Sequence, residues 1–164
     1  MTRYFFGCFL VFIFISCNGN RQRNQPSSVD TSRKDSTQAA KISAPPSIEY
    51  VRGWVGKYPS DVNMFGDSVL RQRMLKLLKG EYELFQTNWN VQTPFVEDSS
   101  IVSTSGCKQH DCPSYHSIIY FDVVNNQINI AILKDKQYKL FTEMDTIVLP
   151  GSMKKDHEII RGNL

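Results

Sequence analysis

Two cysteines with four residues between them, Cys107 and Cys112, are the part of this chain most able to do specific chemistry. The four residues supply an ammonium group, an amide, an imidazole and a carboxylate, all of which can hydrogen-bond to a partner. If the cysteines are oxidised, they close a small ring that displays these side chains. Turn-forming residues lie on both sides of this segment, and apolar runs lie beyond them. We therefore expect the ring at the tip of a strand connection, where binding residues are common.

The N-terminus indicates export, and export matters because a disulfide needs an oxidising compartment. Residues 4–15 are a continuous apolar run of twelve residues, too short to span a bilayer but suited to a secretory signal. Residues 14–17, Phe-Ile-Ser-Cys, resemble the lipobox of bacterial lipoproteins. We predict a lipoprotein-type signal peptide over residues 1–16 and an acylated Cys17. An ordinary secretory signal or an uncleaved anchor is the alternative.

The remaining cysteines then form a single pair. One cysteine lies in the predicted signal and Cys17 would carry the lipid, which leaves Cys107 and Cys112. In an exported chain this count favours a disulfide. Closing so small a ring stabilises a protein by roughly 2 kcal/mol, so its effect is mainly local rigidity. Two alternatives stay open: a bridge that only staples a turn, and a metal site that combines the cysteines with His110 and His116.

Residues 18–47 are rich in Asn, Gln, Ser, Thr, Pro and basic side chains. They contain too few large apolar residues to offset the entropy of ordering them. We predict a lipid-anchored flexible tether over residues 17–47, with a reach of roughly 30 Å. Five Lys/Arg against two Asp/Glu make residues 18–47 basic, which favours attraction to anionic headgroups over nucleic-acid binding. The expected location is the cell envelope, attached to the membrane and facing the periplasm or the cell surface.

Residues 48–164 have the length of one domain with one core. Their thirteen Lys/Arg against fourteen Asp/Glu give a net charge of −1. The spacing of apolar residues predicts an amphipathic helix that Asp67 caps and Gly80 ends. Residues 81–86 fit either a second helix or a strand. The apolar face of the first helix consists of Leu70, Met74, Leu77 and Leu78.

The second half of the domain has the apolar pattern of strands. Asn125 and Asn126 fit a tight turn, because asparagine tolerates positive φ. The pattern predicts an α+β fold: an antiparallel sheet of about four to five strands with the N-terminal amphipathic helix packed on one face. The candidate strands are residues 101–105, 117–124, 127–133 and 137–141, with residues 146–149 as a possible last strand.

The ring resembles the signature of the Ivy family, the bacterial inhibitors of vertebrate lysozyme. That signature is Cys-Lys-Pro-His-Asp-Cys, and five of its six positions match here, with Gln109 in place of the proline. The resemblance extends in pattern over residues 70–133: an amphipathic helix, a proline near Pro94, a strand that leads into the ring, an apolar strand and a hairpin. Gln109 lacks the fixed φ of proline, so the ring is expected to be less pre-organised than in the family.

This resemblance implies an exported inhibitor of c-type lysozyme, with Lys108, Gln109, His110 and Asp111 as the inhibitory loop. Lysozyme works with two carboxylates, one protonated and one ionised. An imidazole between them can hydrogen-bond to both, and His110 takes that role. Lys108 is implied as a more peripheral cation, and Asp111 as a brace that accepts backbone amides. The domain's net charge of −1 adds little long-range attraction for a basic lysozyme.

Other classes of function are also open. One is another peptidoglycan-cleaving enzyme as the target. A second is an envelope lipoprotein binding module of the same fold that recognises a different protein or peptidoglycan, and a third is a metal-binding lipoprotein. Catalytic residues, a metal and a cofactor are not expected, and the oligomeric state is not determined by the sequence. His116 and His157 are expected on the solvated surface, and Trp54 and Trp89 are expected as core or interface anchors.

Overall fold

The structure is a computed structural model, and it describes residues 44–162. The predicted signal peptide, Cys17 and the tether as far as residue 43 lie outside the described residues. Within the described residues, no helix has both the length and the apolar character needed to cross a membrane.

Residues 44–162 contain three α-helices and six strands. The helices are α1 (Ser68–Leu78), α2 (Tyr82–Thr87) and α3 (Gly151–Arg161). Short 3-10 helices cover Glu49–Trp54, Met64–Gly66 and Lys79–Glu81. The strands are β1 (Val91–Gln92), β2 (Val96–Asp98), β3 (Ile101–Cys107), β4 (Tyr115–Asp122), β5 (Gln127–Lys134) and β6 (Gln137–Thr142).

The strands form one antiparallel sheet in the order β1-β3-β4-β5-β6, and β2 also pairs with β3. The predicted α+β class is therefore confirmed. The six strands of residues 44–162 slightly exceed the predicted four to five, because β1 and β2 have only two and three residues. Strands this short carry no readable alternation of apolar and polar residues.

Each face of the sheet packs against helices. Alternate residues of a strand point to opposite faces, and the face that carries Val102, Ile119 and Ile130 shares a core with the apolar side chains of α1 and α2. The opposite face, which carries Ile118 and Ala131, packs against α3. We call these the inner face and the outer face. The sequence predicted a helix on the inner face alone.

The prediction of a strand over residues 146–149 is wrong, and α3 was not predicted. Residues 146–149 have no regular secondary structure, and α3 follows after Pro150. The buried residues of α3 are Met153 and Ile160, seven positions apart, with mostly polar residues between them. Two apolar positions at this distance are too few to give a visible helical period. Gly162 ends the helix with φ +76°.

The N-terminal end of α1 is as predicted, and its C-terminal end differs by one residue. Asp67 Oδ1 accepts a hydrogen bond from Leu70 N at 2.8 Å, which is the expected N-cap. The helix ends at Leu78, and Lys79, with a positive φ of +52°, follows it one position before Gly80. The segment that fitted either a helix or a strand is helix α2.

Arg73 joins α1 to the sheet. Its side chain is only 6% exposed. Its Nε lies 2.9 Å from Glu143 Oε1, and Nη1 and Nη2 donate to Asn126 Oδ1 at 2.8 Å and to Asn126 O at 2.7 Å. Nη1 also donates to Pro46 O at 3.2 Å, and Glu143 Oε2 accepts from Ile128 N at 2.8 Å. One guanidinium thus connects α1 to three other segments: the residues before the first 3-10 helix, the β4–β5 turn and the residue after β6.

Replacing Arg73 with methionine is expected to lower the free energy of unfolding by about 3–5 kcal/mol, because the Glu143 carboxylate would lose its charged partner. Urea denaturation of the compact unit Ile42–Leu164, followed by tryptophan fluorescence, measures this. Lys76→Met on the exposed side of the same helix is the matched control, expected within about 0.5 kcal/mol of wild type. Equal losses in the two variants would contradict the role given to Arg73.

Candidate functional site

The predicted disulfide is present and closes the ring at the turn between β3 and β4. Cys107 is the last residue of β3, and its Cα lies 4.9 Å from that of Cys112. Lys108 N donates to Tyr115 O at 3.2 Å, so the hairpin pairing continues beyond the strand end. The ring is therefore an extension of the β3–β4 hairpin.

Lys108 and Asp111 form an ion pair across the ring. Lys108 Nζ lies 2.8 Å from Asp111 Oδ2, and Asp111 N donates to Lys108 O at 3.0 Å. The ion pair raises the pKa of Lys108 and, together with a hydrogen bond from Ser114, lowers the pKa of Asp111. The backbone oxygen of Asp111, rather than its carboxylate, accepts the amides of Ser114 and Tyr115 at 3.1 Å each. The ring's two permanent charges thus neutralise each other, and Lys108 is not a free cation.

His110 stands at the exposed tip of the ring. Its φ is +63°, a left-handed conformation that costs a residue other than glycine roughly 1 kcal/mol. No other residue of the described part of the chain hydrogen-bonds to its imidazole, and Gln109 beside it is also exposed. Both ring nitrogens of His110 are therefore free to bond to a partner.

A buried tryptophan supports the base of the ring. Trp89 was predicted as a core or interface residue, and it is buried, with 4% of its surface exposed. Its indole packs against the rings of Phe85 and Phe65, with centroid distances of 5.1 and 5.8 Å. Gly106 lies directly against this indole, so that a Cβ at Gly106 would overlap it. Only glycine fits between the aromatic cluster and the first cysteine of the ring.

Neighbouring backbone also holds the ring in place. Cys107 O accepts a hydrogen bond from Asn90 N at 3.1 Å, which ties the ring to the segment after α2. Tyr115, the first residue of β4, is 5% exposed, and burial raises the pKa of its hydroxyl to about 12. Asp135 N, from the β5–β6 turn, donates to Ser114 O at 2.8 Å. Hydrogen bonds from the segments on both sides of the β3–β4 hairpin thus hold the base of the ring.

The other two histidines differ from their prediction as solvated surface residues. His116 is partly buried, and burial lowers its pKa against the opposing effect of the Asp156 carboxylate. The imidazole of His157 lies between two tyrosine hydroxyls, with Nδ1 3.3 Å from Tyr120 Oη and Nε2 3.0 Å from Tyr138 Oη. Both histidines belong to the packing of the outer face.

The metal alternative is not supported by the ring. The disulfide takes up both cysteine sulfurs, which removes the thiolate ligands that a zinc site would use. His116 pairs with Cys107 in the β3–β4 register, but His110 lies at the tip of the ring. In the stretch from residue 44 to residue 162, no three His, Cys, Asp or Glu residues are grouped so as to hold a metal.

Sequence reasoning missed two features of this site: the contact between Gly106 and Trp89, and the β5–β6 turn beside the ring. The only local signal was Gly106 itself, since a glycine within a strand often marks a close approach of another group to the backbone. Trp89 precedes Gly106 by seventeen positions, so no local pattern predicts that these two residues are in contact.

Gly106→Ala is expected to lower the free energy of unfolding by about 1–3 kcal/mol, because the added methyl would have to displace the Trp89 indole. Gly80→Ala, where a Cβ meets nothing within 4 Å, is the control and is expected within about 0.5 kcal/mol of wild type. Urea denaturation of residues 42–164 measures both. An unchanged stability of the Gly106 variant would mean that the indole does not hold the base of the ring.

Comparison with known proteins agrees with this geometry. The family model described as "Inhibitor of vertebrate lysozyme (Ivy)" matches residues 69–160, which is more than half of the chain and includes the whole ring. Searches of curated proteins and of solved structures gave no match. The match runs from the first turn of α1 to the last turn of α3. On this evidence the chain belongs to the Ivy family of inhibitors of vertebrate lysozyme.

Proposed function

We propose that this protein inhibits c-type lysozyme by inserting the Cys107–Cys112 ring into the active-site cleft. The observation that carries the proposal is His110, an exposed imidazole without an internal hydrogen bond, at the tip of a ring whose base is held by the sheet. A rigid projection loses little conformational freedom when it enters a cleft, which favours binding.

The imidazole suits the chemistry of the target. A glycosidase of this type needs one protonated and one ionised carboxyl group. A histidine between them can donate a hydrogen bond to the ionised group and engage the other, so that neither group is available to the substrate. Charge-assisted hydrogen bonds of this kind are strong in a closed cleft from which water is excluded. His110 is therefore proposed as the residue that blocks catalysis.

The other ring residues have supporting roles in this proposal. The ion pair between Lys108 and Asp111 closes the ring on one side and leaves it without net charge from these two groups. Such a ring can enter a narrow cleft without bringing an unpaired permanent charge, which would be costly to desolvate. Gln109 would contact the cleft beside His110. The protein would act by binding alone, without catalytic residues, a metal or a cofactor.

We further propose that the inhibitor is anchored to a membrane of the cell envelope. The basis is the sequence alone: a lipoprotein-type signal over residues 1–16, an acylated Cys17 and a polar tether over residues 17–47 that leads to the domain of residues 48–164. Two or more acyl chains would hold the protein at the membrane nearly permanently. A tether of this length would let the ring meet lysozyme at the periplasmic or outer surface.

His110→Ala is expected to weaken lysozyme binding by about 2–5 kcal/mol, because the carboxyl groups of the cleft would lose their hydrogen-bond partner. At 1.4 kcal/mol for each factor of ten, this is a loss of roughly 30-fold or more in the inhibition constant. The measurement is the lysis of a bacterial cell-wall suspension by purified c-type lysozyme, titrated with residues 42–164.

Two controls accompany this variant. Gln109→Ala truncates the neighbouring exposed residue and is expected to change inhibition far less than the loss of His110. A Cys107→Ser/Cys112→Ser double variant opens the ring and is expected to lose inhibition while the sheet stays folded. If the folded, oxidised domain does not inhibit c-type lysozyme at micromolar concentration, the proposal fails and another envelope partner becomes the better candidate.

Gln109→Pro, which restores the family residue, is expected to strengthen inhibition. Proline fixes φ and reduces the freedom of the unbound ring, an effect of roughly 1 kcal/mol or about fivefold in affinity. Within residues 44–162 the backbone amide of Gln109 donates no hydrogen bond, so proline at this position breaks none. The same lysis assay measures the gain relative to Gln109→Ala. A weaker inhibitor would show that the ring needs the glutamine side chain.

A further inference from the structure

The β5–β6 turn lies beside the inhibitory ring at the same end of the sheet. β5 ends at Lys134 and β6 begins at Gln137, so Asp135 and Lys136 are the two residues of a tight hairpin turn. Asp135 N donates to Ser114 O at 2.8 Å, and Ser114 directly precedes β4. The tip of the second hairpin is therefore fixed to the base of the first.

This turn keeps an unfavourable backbone conformation. Asp135 and Lys136 have φ values of +49° and +65°. Two-residue hairpin turns of this kind prefer Asn-Gly or Asp-Gly, because glycine takes positive φ without steric cost. Lysine at the second position gives up that advantage. A strained residue that a fold retains at its surface is a reason to look for a function.

The charges of the turn are available to a partner. Lys134, Asp135 and Lys136 are all exposed, and none forms an ion pair with another residue in the region that the structure describes. The Asp135 carboxylate lies close enough to Lys108 to contribute to the raised pKa of that lysine. The ring neutralises its own charges internally, whereas the turn does not.

A hollow of about 260 Å³ adjoins the turn. Its polar wall includes Lys134, Asp135 and Gln137, together with the Glu81–Lys139 ion pair, in which Lys139 Nζ lies 3.0 Å from Glu81 Oε1. Asp135 thus lines this hollow and also joins the two hairpin tips through its hydrogen bond to Ser114. If an enzyme receives the ring in its cleft, the rim of that cleft would contact the turn and the hollow.

We propose that residues 134–137 are a second contact element that meets the rim of the lysozyme cleft when the ring enters it, with Asp135 attracting and Lys136 repelling the basic enzyme. This inference rests on the proposed function. The ring supplies the short-range hydrogen bonds. The exposed turn, in which the charges of Lys134, Asp135 and Lys136 sum to +1, sets the balance of attraction and repulsion during the approach. Charges at the rim of an interface change mainly the association rate and its dependence on salt.

The test measures the association rate of the full-length chain, in detergent, with immobilised c-type lysozyme. Asp135→Asn removes the charge and keeps a residue that tolerates positive φ. At low salt we expect association to be about threefold slower than for wild type. Lys136→Glu changes the charge by two units in the favourable direction and is expected to make association faster by up to about tenfold. Both differences should shrink as the salt concentration rises to about 0.5 M, because screening shortens the range of the charges.

Asp145→Asn is the matched control. Asp145 is exposed and follows β6 at the opposite end of the sheet, so its loss changes the net charge equally, far from the ring. We expect its association rate to differ by less than about 1.5-fold from wild type. If Asp135→Asn and Asp145→Asn change the rate equally, or if Lys136→Glu slows association, the second contact is overturned.

His110→Ala, measured in parallel, separates this failure from a failure of the proposed function. A wild-type chain that inhibits, and that loses inhibition without His110, leaves the ring mechanism standing whatever the turn variants do. If His110→Ala inhibits as wild type does, the ring mechanism itself fails, and the second contact, which rests on it, fails as well.

Discussion

The burial of the Arg73 charge is the constraint on which the arrangement of this domain depends. A guanidinium that is nearly removed from water must have its donors satisfied and its charge paired, or the cost is several kcal/mol. Its partners are Pro46 before the first 3-10 helix, Asn126 in the β4–β5 turn and Glu143 after β6. Glu143 is 70 residues away in sequence. Helix α1 can satisfy this side chain in only one position on the sheet. The end of the sheet next to Arg73 is therefore fixed to α1, and the ring projects from the opposite end.

At that opposite end, rigidity comes from packing at the base and not only from the disulfide. The aromatic cluster of Phe65, Phe85 and Trp89 closes the inner face under Gly106, and hydrogen bonds from the neighbouring segments reach the ring. A disulfide across so small a loop restrains only the loop itself. The sheet and the indole give the loop its direction. His110 lies at the exposed tip of the ring on this base and has a left-handed conformation.

The charges near the ring are divided between two kinds of interaction. Lys108 and Asp111 pair with each other, so the ring, which is the part proposed to enter a cleft, carries little net charge to desolvate. The exposed charges of Asp135 and Lys136 lie beside it, where they stay in water and act over a longer range. An inhibitor whose domain has a net charge of −1 gains little from its overall field. The placement of a few charges therefore matters more than their sum.

The ring, the α+β class, the Asp67 cap and the four long strands could be predicted from the sequence, because each of these is encoded in residues close together in the chain. The sequence also identified the family, since the signature is a local motif. Three features became visible in the fold alone: Asp111 pairs with Lys108, Trp89 packs against Gly106, and a C-terminal helix covers the outer face. The ion pair is local, but which of several acceptors Lys108 meets depends on the backbone of the closed ring. The other two depend on contacts between distant segments, and their cause lies in packing that no local pattern records.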